Sequence, residues 1–127
     1  MIDHLDITVS DLARSEAFYL RALVPLGFVL VYRNTSNAAG GQTLGFSTSH
    51  NPTFCIRNGD RPTTPVHIAF SAENRAAVDA FHAAALAVGG VDNGAPGLRP
   101  YYAKDYYSAF VLDPDGHNVE AVCRSVL

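Results

Sequence analysis

The sequence contains no tryptophan, one methionine, one lysine and only two cysteines in 127 residues. The two cysteines, Cys55 and Cys123, are too few for the disulfide framework of a small secreted domain, and their separation fits no zinc motif. Both are expected to be reduced and buried. Charge is sparse as well: nine basic residues against twelve acidic ones leave a net charge of −3, with no cluster of either sign. Without a basic face there is no footprint for nucleic acid or anionic lipid, so the expected partner is a small molecule. Long apolar runs are also missing, because the longest, residues 23–32, is broken by Pro25 and Gly27. Nothing in the sequence reads as a membrane span. The opening Met1-Ile2-Asp3-His4 has no basic segment leading into an apolar one, so the chain is expected to be cytoplasmic.

What is present fits one domain. A chain this long buries about two thirds of the surface its unfolded form exposes, so it needs no structural metal merely to fold. Any metal it binds is then expected to be functional. The chain also repeats itself. Residues 4–28, HLDITVSDLARSEAFYLRALVPLGF, and 67–90, HIAFSAENRAAVDAFHAAALAVGG, share a histidine (His4, His67), a phenylalanine (Phe18, Phe81) and a glycine (Gly27, Gly90), each pair 63 positions apart. Three matches at one offset point to duplication, with one module over about 1–60 and a second over about 64–127.

Within each module the period changes from two to 3.6. Leu5, Ile7 and Val9 alternate with His4, Asp6 and Thr8, and Ile68 and Phe70 alternate with His67, Ala69 and Ser71, so each module opens with a strand. Helices are predicted over 11–24, capped by Ser10 and closed by Pro25 and Gly27, and over 73–88, where Val78, Phe81, Ala85 and Val88 form an apolar stripe stopped by Gly89-Gly90. Further strands are predicted over 28–33, 42–47, 53–57, 107–112 and 118–123. Turn residues separate them, most clearly Asp113-Pro114-Asp115-Gly116. The Gly/Pro-rich segment 89–100 leaves one strand poorly defined. Two such half-units cannot each bury a core alone, so their sheets must pack or join.

Three residues stand out. His4 and His67 occupy equivalent places in the two modules, and Glu120 puts a charge inside the apolar run Val119-Glu120-Ala121-Val122. Singly, each has an ordinary reading: a solvated histidine, or the wet face of a sheet. Together, two imidazoles and a carboxylate on neighbouring strands make a facial ligand set for Fe(II), Mn(II), Zn(II) or a similar ion, with positions open for substrate. Among the other residues, Tyr101, Tyr102, Tyr106 and Tyr107 flank a flexible stretch and either cap a sheet edge or hydrogen-bond a substrate. Tyr101 and Tyr107 are the candidates for a catalytic role. Arg57 is either a surface residue or an anchor for an anionic substrate. Asn118 shares the face of Glu120, and Asp6 and Thr8 share that of His4. His50 and His117 fall at turns and are expected to be solvated, and His82 is expected to point outward from its helix.

The segments DHLDITVSDLARSEAFYLRALVPLGF, PVHIAF and YYSAFVLDPDGHNVEAV resemble the glyoxalase, bleomycin-resistance and ring-cleaving dioxygenase superfamily, the vicinal oxygen chelate proteins, over nearly the whole chain. The resemblance implies an α+β fold of two βαβββ modules whose eight strands form a cupped mixed sheet. It implies a divalent metal (Fe, Mn, Ni or Zn) held by His4, His67 and Glu120; exposed sheet edges and short modules lead us to expect a homodimer as well. It also implies glyoxalase-like (lactoylglutathione lyase-like) or dioxygenase-like chemistry on a substrate chelated through two adjacent oxygens; the alternative is a metal-free small-molecule or drug binder of the bleomycin-resistance type. Glyoxalases of the family add a carboxylate ligand on the last strand of the first module. Matching the two hairpins by their turns puts that place at Ile56 or Arg57, neither of which can serve.

Overall fold

The computed structural model describes residues 1–34 and 41–126. Each module is a strand, a helix and three strands. The first comprises β1 (Leu5–Val9), α1 (Leu12–Ala22), β2 (Val29–Asn34), β3 (Thr43–Ser47) and β4 (Phe54–Asn58). The second comprises β5 (His67–Ser71), α2 (Arg75–Ala87), β6 (Val91–Leu98), β7 (Tyr107–Leu112) and β8 (Asn118–Cys123). The expected eight strands are all present, hydrogen-bonded as two four-stranded mixed sheets with matching orders, β1-β4-β3-β2 and β5-β8-β7-β6. In each sheet the first strand runs parallel to the last and the remaining pairings are antiparallel. The two opening strands, β1 and β5, each lie at the edge of their own sheet and share no ladder.

Local chemistry sets the helix ends. Asp11, not Ser10, caps α1: its carboxylate accepts the Arg14 N–H at 3.1 Å. Asn74 does the same for α2, accepting from the Ala77 N–H at 2.8 Å. Pro25 then tightens the chain into a 3-10 turn that ends at Gly27, whose φ of 85° favours glycine. Within residues 89–100 the structure forms the eight-residue edge strand β6, and its pairing with β7 slips between Asp92 and Gly94 and between Gly94 and Gly97. Pro96 is tolerated because an edge strand pairs on one side only.

Strand alternation divides each sheet into two faces. Ile7, Val9, Leu44, Phe46, Phe54, Ile56, Phe70, Ala109, Val111, Val119 and Ala121 point to the helices, where Phe18, Tyr19, Val78 and Phe81 join them in one apolar cluster spanning both modules. The Phe70 ring meets Phe28 at 5.3 Å and Phe54 at 5.1 Å, both edge-on, which ties β5 to the first module. The core is therefore shared between the two modules.

A buried polar clasp reinforces that junction. The Asp113 carboxylate accepts from the Tyr19 hydroxyl at 2.6 Å and from the backbone N–H groups of Asp115 and His117. Asp115 accepts from the Ser10 N–H at 3.0 Å and the Ser10 hydroxyl at 2.5 Å. His117 is 2% exposed, contrary to the solvated placement expected at a turn. Its Nδ1 accepts the Val66 N–H at 3.0 Å, so Nε2 carries the proton and donates to the Thr8 carbonyl at 3.1 Å. The turn that closes the last hairpin thus also fastens the second module to the start of the first.

Candidate metal centre

Each sheet turns one face, its cup, away from the helices. On the second sheet, Glu120 lies at the middle of β8, opposite Ala69 on β5 and Phe110 on β7. Its residue is 1% exposed, yet both carboxylate oxygens have partners. Oε1 is 2.8 Å from Nε2 of His67, and Oε2 accepts the hydroxyl of Tyr106. The His67 side chain remains 52% exposed, so the pair opens to solvent on the imidazole side. An imidazole nitrogen and a carboxylate oxygen sharing one proton at this distance are a donor pair that an ion can take over by displacing that proton. Burial, then the hydrogen bond to Glu120 and its charge, push the Tyr106 phenol up to about 12, partly offset by the Arg124 guanidinium 4.8 Å above its ring. Tyr106 is therefore a donor across the neutral range. Asn118 shares this cup, its amide oxygen accepting from Asn93 at 3.2 Å.

On the first sheet a cavity of about 770 Å³ is lined by His4, Asp6, Tyr32, Thr43, Cys55 and Arg57, among others. His4 lies just before β1, its side chain 56% exposed, with Nδ1 2.7 Å from the Asp3 carboxylate. That hydrogen bond raises its pKa, desolvation opposes it, and the charges of Asp3 and Asp6 add to the rise. Arg57 faces the cup, whereas Ile56 is fully buried in the core. Strand register corrects the hairpin match made from sequence. Asp6 pairs with Cys55 as Ala69 pairs with Glu120, so the first-module counterpart of Glu120 is Cys55. Its thiol, raised to about 11 by burial and by the neighbouring Asp6 carboxylate, stays protonated.

The structure thus brings His67 and Glu120 together and leaves His4 on the other sheet. Among the described residues, no three His, Cys, Asp or Glu side chains of one chain converge closely enough to hold an ion. The tyrosine expectation also shifts. Tyr101 is exposed and meets the Tyr102 ring edge-on at 4.7 Å. Tyr107 faces the helices, donating to Asp79 at 2.7 Å with Arg75 over its ring. Tyr106 is the one that reaches the carboxylate. Tyr106, Ser108 and Phe110 share a face, and it is the register of β7 on β8, with Phe110 opposite Glu120, that selects Tyr106. His82, expected to point outward, instead covers Asp92 of β6 at 2.9 Å.

Comparison with known proteins agrees with this architecture. The family described as Glyoxalase/Bleomycin resistance protein/Dioxygenase superfamily matches residues 1–121. A glyoxalase/bleomycin resistance protein from Albidiferax ferrireducens superposes with a TM-score of 0.75 at 28% identity, covering 96% of this chain and 98% of that one. A fosfomycin resistance protein from Listeria monocytogenes, solved with Mn(II) and a dihydroxypropylphosphonic acid, gives a TM-score of 0.72 at 21% identity over 99% of this chain and 91% of that one. A glyoxalase I variant from Zea mays gives 0.74 at 21% identity, with this chain covering 46% of its length. No curated protein matches the sequence. None of the helices described is long and apolar enough to cross a membrane.

Proposed function

Because the chain belongs to the glyoxalase/bleomycin resistance protein/dioxygenase superfamily, we propose that it is a divalent-metal enzyme acting on a small substrate bound through two adjacent oxygens. The observation that carries this reading is the His67–Glu120 pair, a buried carboxylate with one oxygen fixed by Tyr106 and the other presented beside an accessible imidazole nitrogen. The third ligand is His4 of a second copy. Two features support that placement: the lone imidazole stands at the mouth of the opposite cup, and an apolar groove of about 400 Å³, lined by Leu5, Phe28, Phe54, Ile68 and Phe70, opens where the β1 and β5 edges approach each other. A groove of this kind is suited to burial against another chain.

Iron, manganese, nickel and zinc all accept two imidazoles and a carboxylate, and a bound ion supplies Lewis-acid stabilisation of negative charge on substrate oxygen. The remaining work falls to the chain. Tyr106 holds Oε2 of Glu120, which leaves Oε1, beside the His67 imidazole, as the oxygen available to an ion. Cys55, at the place of a fourth ligand, keeps its proton and leaves coordination positions open for substrate. Arg57 and Asn118 are the polar groups available on the two cups for orienting what binds.

Metal analysis tests this directly. The wild-type protein is expected to bind about one ion per chain, and His67→Ala to lose it. Full metal content in His67→Ala contradicts the assignment. A wild type that binds no metal on titration but retains a small aromatic ligand points to a metal-free binder of the bleomycin-resistance type.

A further inference from the structure

The cup around Glu120 holds a second group with no task in the reading above. Arg99 lies on this face with its guanidinium carbon 5.5 Å from the centroid of Phe110, and the same ring stands 5.9 Å from that of His67. The guanidinium and the imidazole therefore flank one aromatic ring. The seat is shaped for the arginine. A Cβ at position 94 would meet Phe110 Cδ1 at 2.9 Å and Arg99 Nη2 at 3.3 Å, and one at 97 would meet Arg99 Nη1 at 3.1 Å, so Gly94 and Gly97 provide the floor on which the side chain lies flat. Its backbone is held from both sides, the N–H donating to the Tyr106 carbonyl at 2.7 Å and the carbonyl accepting from the Tyr102 N–H at 2.9 Å.

Held this firmly, the guanidinium is still underused. Among the described residues its one hydrogen bond goes from Nη2 to the Ala95 carbonyl at 2.7 Å and leaves most of its five N–H donors without a partner there. Among the described residues no carboxylate lies within 4.0 Å of it, whereas Arg33, Arg61 and Arg75 each have an acidic partner. A planar cation stacked on an aromatic ring, half-buried and unpaired beside a ligand pair, is the arrangement that recognises a carboxylate in two-pronged fashion.

We propose that Arg99 anchors a carboxylate of the substrate, so that the ligands of this site are small anionic molecules carrying two adjacent oxygens at one end and a carboxylate at the other. This rests on the chelation reading above.

Two probes that differ only in the carboxylate test it: catechol and 3,4-dihydroxybenzoate, titrated calorimetrically into the Mn(II)-loaded protein. The wild type is expected to bind dihydroxybenzoate roughly 10- to 100-fold more tightly than catechol, the range for a charge-assisted hydrogen-bonded pair. Arg99→Gln is expected to abolish that preference while leaving catechol affinity unchanged, and Arg21→Gln, exposed on α1, to preserve it. Should the glutamine protein fail to fold, Arg99→Lys keeps the charge without the planar fork, and a reduced preference is expected. Equal binding of the two probes by the wild type overturns the assignment of Arg99 while the chelation reading stands. So does a preference that survives in Arg99→Gln or vanishes in Arg21→Gln. Failure of the loaded protein to bind catechol at all removes the chelation reading and this inference with it.

Discussion

Glu120 is the residue on which the proposed site turns, and what suits it to hold an ion is the company its two oxygens keep. A carboxylate 1% exposed needs a partner for each oxygen, and Tyr106 and His67 provide them. Removing the phenol frees Oε2 and lets the carboxylate rotate. Tyr106→Phe is therefore expected to weaken metal affinity about 10- to 100-fold in a calorimetric titration, as loss of a hydrogen bond to a ligating group does. Tyr107→Phe serves as the contrast. It loses a bond to Asp79 on the far side of the sheet, costs about 1 kcal/mol of stability and leaves metal affinity unchanged. At this scale the sequence spoke clearly where side-chain type and alternation sufficed: His67 and Glu120 were legible from the repeat and from a charge in an apolar strand. It was silent where the answer lay in register. Choosing Tyr106 over Tyr107, or Cys55 over Ile56, requires knowing which residues pair across the ladder.

The element that does most for both fold and site is the turn from Asp113 to His117. It closes the β7–β8 hairpin, which sets Phe110 opposite Glu120, and it docks on the start of the first module through Ser10, Thr8 and Tyr19. Asp113→Ala orphans a buried hydroxyl and two backbone N–H groups. It is expected to cost about 3 kcal/mol or more in urea unfolding with an unchanged m-value, while the exposed Asp60→Ala stays within about 0.5 kcal/mol of wild type. The turn's sequence announced a hairpin but not a clasp. His117 looked solvated because turns usually are, and its burial depends on a carbonyl and an N–H contributed by distant strands. Strand β6 was hidden for a different reason. Gly94, Pro96 and Gly97 erase the alternation that marks a strand, and the edge position and bulged pairing tolerate them.

At the scale of the whole molecule, the duplication explains both what the fold provides and what one chain lacks. Two copies of a βαβββ unit share one core and one polar clasp, yet each keeps its own sheet and its own cup. The first cup presents His4, the second His67 and Glu120, and the two do not meet within a chain. Sequence symmetry suggested that the opening strands would lie side by side. They instead end their sheets as free edges, because each is satisfied by a parallel partner within its own module. The assembly we propose is a homodimer in which each site takes one imidazole from one copy and the pair from the other.

Mixing two defective proteins measures this most directly. His4→Ala and His67→Ala should each bind no metal at the site alone. After unfolding and refolding as an equimolar mixture, random pairing makes half the dimers mixed, and each mixed dimer regains one intact site of two, so metal content should recover to about a quarter of wild type. No recovery on mixing, or a full complement of metal in either variant alone, contradicts a site shared between two copies.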